Sequence, residues 1–313
     1  MKKTLMIAGF ASLLASTAMA DGIGVSMARF DDNFLTILRN GIQETADKDG
    51  LGVQIEDAQD DVAKQLDQIN NFIASGVDAI IVNAVDTSAT QAMSDAAAAA
   101  GVPLVYVNRQ PVNVDTLPDN QAFVASNEVD SGTLQTLEVC RLFAAEGKTE
   151  ANIYVMMGQL SNQAAVQRTK DIHDVMASGD CGVTLKIVDE QSANWSRDEA
   201  QTLMTNWLST NTAFDGVITN NDEMAVGAIQ AMKASGIDMK SVVVAGIDAT
   251  QDALVAMAAG DLDVTVFQNA SAQGGGALAA AVALSKGEAV EQKVYVPFEL
   301  VTPANLADYQ AKN

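Results

Sequence analysis

Histidine is all but missing: the 313-residue sequence has one, His173. A Ser-His-Asp or Cys-His site therefore has a single candidate base, and that residue falls in a segment read as helix, solvated or partly packed. Cysteine is almost as scarce, at two, and the spacing of Cys140 and Cys181 resembles no zinc ligand set. There is no G-x-S-x-G elbow and no Walker phosphate loop. Gly22-Ile23-Gly24 precedes a strand instead of following one, so it is no dinucleotide fingerprint. Asp31-Asp32 are adjacent in a loop, whereas glycoside hydrolysis needs two acids held about 5–10 Å apart. The chain thus reads as a binding protein and not an enzyme, with neither cofactor nor metal implied. Basic residues are also few, 18 against 40 acidic, for a net charge of −22. Such acidity speaks against nucleic acid, whose phosphates need Lys and Arg. It speaks equally against anionic lipid and favours solubility as a monomer. No apolar run approaches the ~20 residues that span a bilayer.

What the N-terminus does have is an export signature. Lys2 and Lys3 form a positive start, Leu5 to Leu14 a short apolar run, and Ala18-Met19-Ala20 a small-x-small cleavage site. Together they read as a signal peptide over residues 1–20, cleaved after Ala20, and a periplasmic location; the competing reading is an ordinary apolar strand or helix. In an oxidising compartment Cys140 and Cys181 are expected to form a disulfide, the alternative being two buried thiols.

Downstream, β-rich runs alternate with helical ones. Strands are expected over 23–27, 52–57, 78–83 and 104–108, with helices over 33–50, 62–75 and 87–100 between them. The rhythm restarts with strands over 151–156, 184–188, 216–219, 242–245, 263–268 and 294–300. Helices are read over 131–146, 162–177, 197–209, 223–234, 249–258 and 273–285. Asp78 to Asn83 is apolar without alternation, as in a strand covered on both faces. Repeated β-α units specify an α/β fold with parallel, doubly wound sheets, and two series make two Rossmann-like lobes.

Open α/β sheets take ligands beyond the carboxyl ends of their strands. There the sequence concentrates polar groups: Asp31, Asp32 and Asn33, then Asn83, Asn108-Arg109, Asn221-Asp222, Asp248 and Gln268. For each alone, a helix cap or turn is the plain reading, most of all for Asp222. Recurrence with arginine mixed in fits vicinal hydroxyls, for which carboxylate accepts and guanidinium donates in pairs. Phe30, Phe34 and Trp195 share this company. A sugar or cyclitol, apolar on its C–H faces and polar at its edge, matches aromatic walls with a hydrogen-bonding rim.

Over nearly its whole mature length the chain resembles the periplasmic sugar-binding proteins of the ribose-binding type. The resemblance rests on Asn221-Asp222-Glu223-Met224-Ala225-Val226-Gly227-Ala228, on Val244-Ala245-Gly246-Ile247-Asp248, and on Ile81-Val82-Asn83 with Asp86. It implies a type I periplasmic binding protein, two lobes joined by three hinge crossovers. The N-terminal lobe would comprise 21–126 plus 269–299, and the C-terminal lobe 127–268 plus 300–313. The resemblance also implies site roles for Ser26, Asn83, Arg109, Arg168, Trp195, Asn221, Asp248 and Gln268. Ribose binders have Asp where this chain has Asn108, and paired phenylalanines where it has Asn33-Phe34, with Phe30 nearby. Ile247 replaces an aromatic. Tyr106 to Pro111 and Asp31 to Leu35 look like the inositol- and rhizopine-binding branch. The implied function is a solute receptor for an ABC importer that closes on a cyclitol such as myo-inositol and delivers it to the membrane permease. The alternatives are a pentose, hexose or short-polyol receptor, or a protein that presents its ligand to a chemoreceptor. Alanine at Asp248 or Arg168 is expected to weaken binding with the fold intact.

Overall fold

The computed structural model describes residues 22–312; the signal segment and its cleavage site lie outside them. The chain opens with β1 (Ile23–Met27), α1 (Asn33–Asp49), β2 (Val53–Asp57), α2 (Val62–Ser75), β3 (Ala79–Val82), α3 (Thr90–Ala100), β4 (Leu104–Val107) and β5 (Gln121–Ala125). It continues through α4 (Glu128–Ala145), β6 (Glu150–Met157), α5 (Gln163–Ser178), β7 (Thr184–Ser192), α6 (Arg197–Ser209), β8 (Gly216–Thr219), α7 (Asp222–Ala234), β9 (Val243–Ala245), α8 (Gln251–Ala259) and β10 (Thr265–Phe267). It ends with α9 (Ala270–Ser285), β11 (Lys293–Tyr295) and β12 (Glu299–Val301).

Two sheets result. The first runs β11-β5-β4-β3-β1-β2 and is parallel throughout. The second runs β7-β6-β8-β9, also parallel. Single bridges from Ala245 to Val264 and from Asp248 to Phe267 tie it to the antiparallel pair β10-β12. Every residue of β1, β3 and β4 is buried, as unalternating apolar strands require when helices cover both faces. Helix ends follow local chemistry. Asp32 Oδ1 accepts from the Leu35 amide to start α1, and Gly50, at φ 67°, stops it in the left-handed region that glycine tolerates.

The chain passes between the sheets after β5, again after β10, and finally between β11 and β12. The last passage corrects the single strand expected over 294–300: Lys293–Tyr295 pairs with β5 while Glu299–Val301 pairs with β10. β5 had no counterpart in the sequence reading. Residues 87–89 form a short 3-10 turn ahead of α3. Helix α9 packs on α1 and across β3, β4 and β5. The approach is close enough that a Cβ on Gly274 would lie 2.3 Å from the Leu38 carbonyl oxygen. Cys140 on α4 and Cys181 ahead of β7 form a disulfide within a buried apolar cluster of the second half. His173 is exposed and its Nε2 lies 2.8 Å from Glu190 Oε2. Among the described residues no helix is long and apolar enough to cross a membrane.

Candidate functional site

The strand carboxyl ends of both sheets face one cleft, and the cavity there encloses about 400 Å³ with its opening to solvent. The first half contributes Asp32 and Phe34 from the β1–α1 loop and start of α1, and Asn108 and Arg109 from the end of β4. The second contributes Arg168 from α5, Trp195 after β7, Asn221 after β8, Asp248 after β9 and Gln268 after β10. Asp31 and Asn33 line an outer chamber at the mouth, which shares Asp32 and Trp195 with the inner one.

Three other residues singled out from the sequence line neither chamber. Ser26 is fully buried, its hydroxyl donating to Gln68 Oε1 at 2.7 Å and accepting from Gln65 Nε2 at 3.1 Å. Asn83 is also buried and donates to the Val107 carbonyl and to Asn108 Oδ1. It fastens the end of β3 to the end of β4 and thereby sets Asn108, whose φ of 65° turns the chain at the cleft floor. Phe30 is half-buried against the core of the first half, with the Arg39 guanidinium 4.1 Å from its ring centroid.

Arg168 is the electrostatic centre. It is buried and grips Glu128 through Nε at 2.6 Å and Nη2 at 3.1 Å. Nη1 donates to the Asn220 carbonyl at 2.6 Å, Nη2 also to Gln268 Oε1 at 3.1 Å, and Asp248 Oδ1 stands 3.9 Å away. Burial opposes this charge, but Glu128, Asp248 and Asp222 hold its pKa above the ordinary value. Asp248 moves the other way: burial raises its carboxyl well above the usual range, Arg168 draws it down, and Asp222, Asp32 and Glu128 raise it further. Its backbone sits at φ 128°, in a region that L-residues rarely adopt, which is a form of strain found at binding sites.

Arg109 is held differently. Its Nη1 donates to the Ala84 and Val85 carbonyls. Burial, with help from the Arg29 charge, pushes its pKa down to about 10, so it stays cationic at neutral pH. Asp32 both caps α1 and pairs with Arg29 at 3.1 Å. Asn221 caps α7 by accepting from the Met224 amide. The cap expected at Asp222 is thus corrected. Asp222 is the first helical residue, and its carboxylate accepts from the Thr250 amide and the Thr265 hydroxyl beneath the site. Burial raises it to about 7.

Trp195 adopts φ 64° and lays its indole against Gly158, where a Cβ would sit 2.2 Å from the ring. Its Nε1 donates to Asn162 Oδ1 at 3.0 Å. Asn162, Leu35 and Ala164 also line the cavity; the sequence reading assigned none of them a site role by itself, nor the buried Glu128. Asn162 had the same signal as the others, a polar residue between a strand end and a helix, but was absorbed into the expected helix 162–177. The two halves touch at both edges of the cleft. Asn162 Nδ2 donates to the Val85 carbonyl at 3.1 Å, Thr87 bonds the Ser161 carbonyl, and Asn33 Nδ2 donates to Glu223 Oε1 at 2.7 Å. No group of His, Cys, Asp or Glu among the described residues is arranged to hold a metal ion.

Comparison with known proteins bears on this geometry. Residues 23–289 match the periplasmic binding protein domain. A Rhizobium meliloti protein provisionally named for rhizopine binding is 63% identical, with 100% of each chain covered. A solved ABC transporter solute-binding protein from Bacillus halodurans with bound myo-inositol is 41% identical at a TM-score of 0.86, over 94% of this chain and 98% of that one. The Caulobacter myo-inositol binding protein, solved with myo-inositol, is 29% identical at a TM-score of 0.83, over 92% of this chain and 95% of that one. The chain belongs to the periplasmic binding protein family, and its role is to bind a solute, not to transform one.

Proposed function

We propose that this is the exported solute receptor of an ABC importer, and that it binds a cyclitol of the myo-inositol type by closing its lobes, residues 21–126 with 269–299 and 127–268 with 300–313, around the ring. Hinge closure about a ligand is an established motion, with periplasmic binding proteins among its type cases. The observation that carries the reading is the composition of the single cleft between the two sheets. Phe34 and Trp195 offer flat apolar walls, while Asp32, Arg109, Arg168 and Asp248 offer paired acceptors and donors at the rim. The solved relatives that hold myo-inositol support the same ligand class, and the Cys140–Cys181 disulfide suits an oxidising compartment. The partner that receives the ligand is then the membrane permease, engaged by the closed monomer.

The energetics are demanding. Micromolar affinity is about −8.2 kcal/mol, so a cyclitol of about twelve heavy atoms needs ~0.7 kcal/mol from each, inside the bound for very small ligands. Only near-complete enclosure with every hydroxyl paired reaches that. Each polar group buried without a partner costs about 1–3 kcal/mol, which makes the site selective between stereoisomers. Calorimetry on the mature protein with myo-inositol, ribose and xylitol tests the reading. Myo-inositol should bind at least tenfold tighter than the other two. A preference for ribose or xylitol, or no heat with any cyclitol, would overturn the cyclitol assignment.

A further inference from the structure

Asn162 touches the ligand cavity, the aromatic wall and the opposite half of the protein together. It is 1% exposed and stands just ahead of α5, where its side chain makes no capping bond. Its Oδ1 accepts from the Trp195 indole N–H, and its Nδ2 donates across the cleft to the Val85 carbonyl. The same Val85 carbonyl, with that of Ala84, also accepts from the Arg109 guanidinium. Two further hydrogen bonds across the cleft, Thr87 with Ser161 and Asn33 with Glu223, involve no residue that lines the inner cavity.

A carboxamide has one accepting and one donating end, and its orientation follows from its partners. Here the two partners agree. Reversing the amide would set its N–H₂ against the indole N–H and its oxygen against the Val85 carbonyl, two mismatches at once. The indole donor therefore fixes the amide in the orientation that can bond the other lobe. A ring seated against Trp195 holds the indole in place on Gly158, and with it the amide.

We infer that Asn162 is a positioning residue that couples occupancy of the Trp195 wall to lobe closure, lending its Nδ2–H to the Val85 carbonyl only when the indole N–H holds its oxygen. The inference rests on the reading of the cleft as a closing ligand site. Its effect falls on release: the cross-cleft bond forms as the lobes come together, with or without ligand, so losing it shortens the closed lifetime and leaves the encounter rate alone.

The test uses the mature protein with thiol labels at Ala99→Cys on α3 and Thr202→Cys on α6, the native cysteines being bonded to each other. Interlobe distance distributions are recorded without ligand and with saturating myo-inositol, for the parent and for Asn162→Asp, which retains size and the indole acceptor but has no N–H for Val85. The expected result is a shift of Asn162→Asp toward longer distances, with myo-inositol release at least tenfold faster and association within twofold of the parent. Trp195→Phe, which keeps an aromatic wall but has no N–H, should shift distances in the same direction, and the double variant should add nothing further. Distributions that coincide with the parent in both states, or additive effects in the double variant, would overturn the coupling. If myo-inositol fails to shorten the parent's own distance, the cyclitol reading falls instead, and the ligand-free comparison still decides the role of Asn162.

Discussion

Replacing Arg168 by alanine tests the electrostatic reading of the site most severely. From sequence, Arg168 reads as a ligand-gripping residue whose removal weakens binding and spares the fold. The structure gives it a second task. Glu128 is 6% exposed and takes two of the guanidinium's hydrogen bonds, so alanine strands a carboxylate in the interior. Removing one partner of a buried ion pair costs about 3–5 kcal/mol, a large share of the ~5–15 kcal/mol by which folded proteins are stable. Thermal and urea unfolding of ligand-free Arg168→Ala should show a loss of that size, with calorimetry showing binding lost as well. Arg168→Met combined with Glu128→Leu removes both charges and keeps volume, and should recover most of the stability while binding stays abolished. If Arg168→Ala unfolds within about 0.5 kcal/mol of the parent, a change ordinary for surface sites, the claim that Glu128 depends on Arg168 is wrong.

Two further outcomes follow from particular side chains. Asp222 rises from 3.8 to about 7 through burial, so the folded state holds a proton that the unfolded chain has released over that interval. Stability from this group is complete below pH ~4 and declines as pH climbs through ~7. Urea midpoints across pH 4 to 8 should fall toward neutrality, and Asp222→Asn should flatten the slope; an unchanged slope would count against the assignment. Gly158→Ala places a methyl 2.2 Å from the Trp195 ring and must push the indole into the cavity. Ligand affinity should drop by tenfold or more with a modest loss of stability, and calorimetry giving parental affinity would refute the account of that wall.

Much of the architecture was legible because each signal was local. Val62–Ser75 begins after Asp61, whose carboxylate caps it, and stops at Gly76 in the left-handed region; both are visible as residue types. β3 and β4 are unbroken apolar runs. β5 escaped because Gln121-Ala122-Phe123-Val124-Ala125 is short and its flanking helix lies in the other half of the molecule, so no β-α rhythm announced it. The split of the expected strand 294–300 was hidden for a related reason: Pro297-Phe298 changes partner sheets, and pairing partners are not written in a single segment. Polar residues at strand ends were found as a set, yet their division of labour was not. Asn83 and Ser26 look like Asn108 and Asn221 in sequence, but the first two turn inward to bind Val107, Gln65 and Gln68. Glu128 could not be identified from sequence at all, since only the Arg168 side chain arriving from forty residues away gives it a role.

The order in which the chain is made acquires meaning from the edge strand β11. That strand and helix α9 complete the first sheet, but they emerge after every strand of the second sheet and after β10. The half made first is therefore uncovered along β3, β4 and β5 until residue 285 has appeared, while residues 128–267 can already collapse on themselves. Both halves thus wait on the far end of the chain: the earlier-made one for its roof, the later-made one for β12, which pairs with β10.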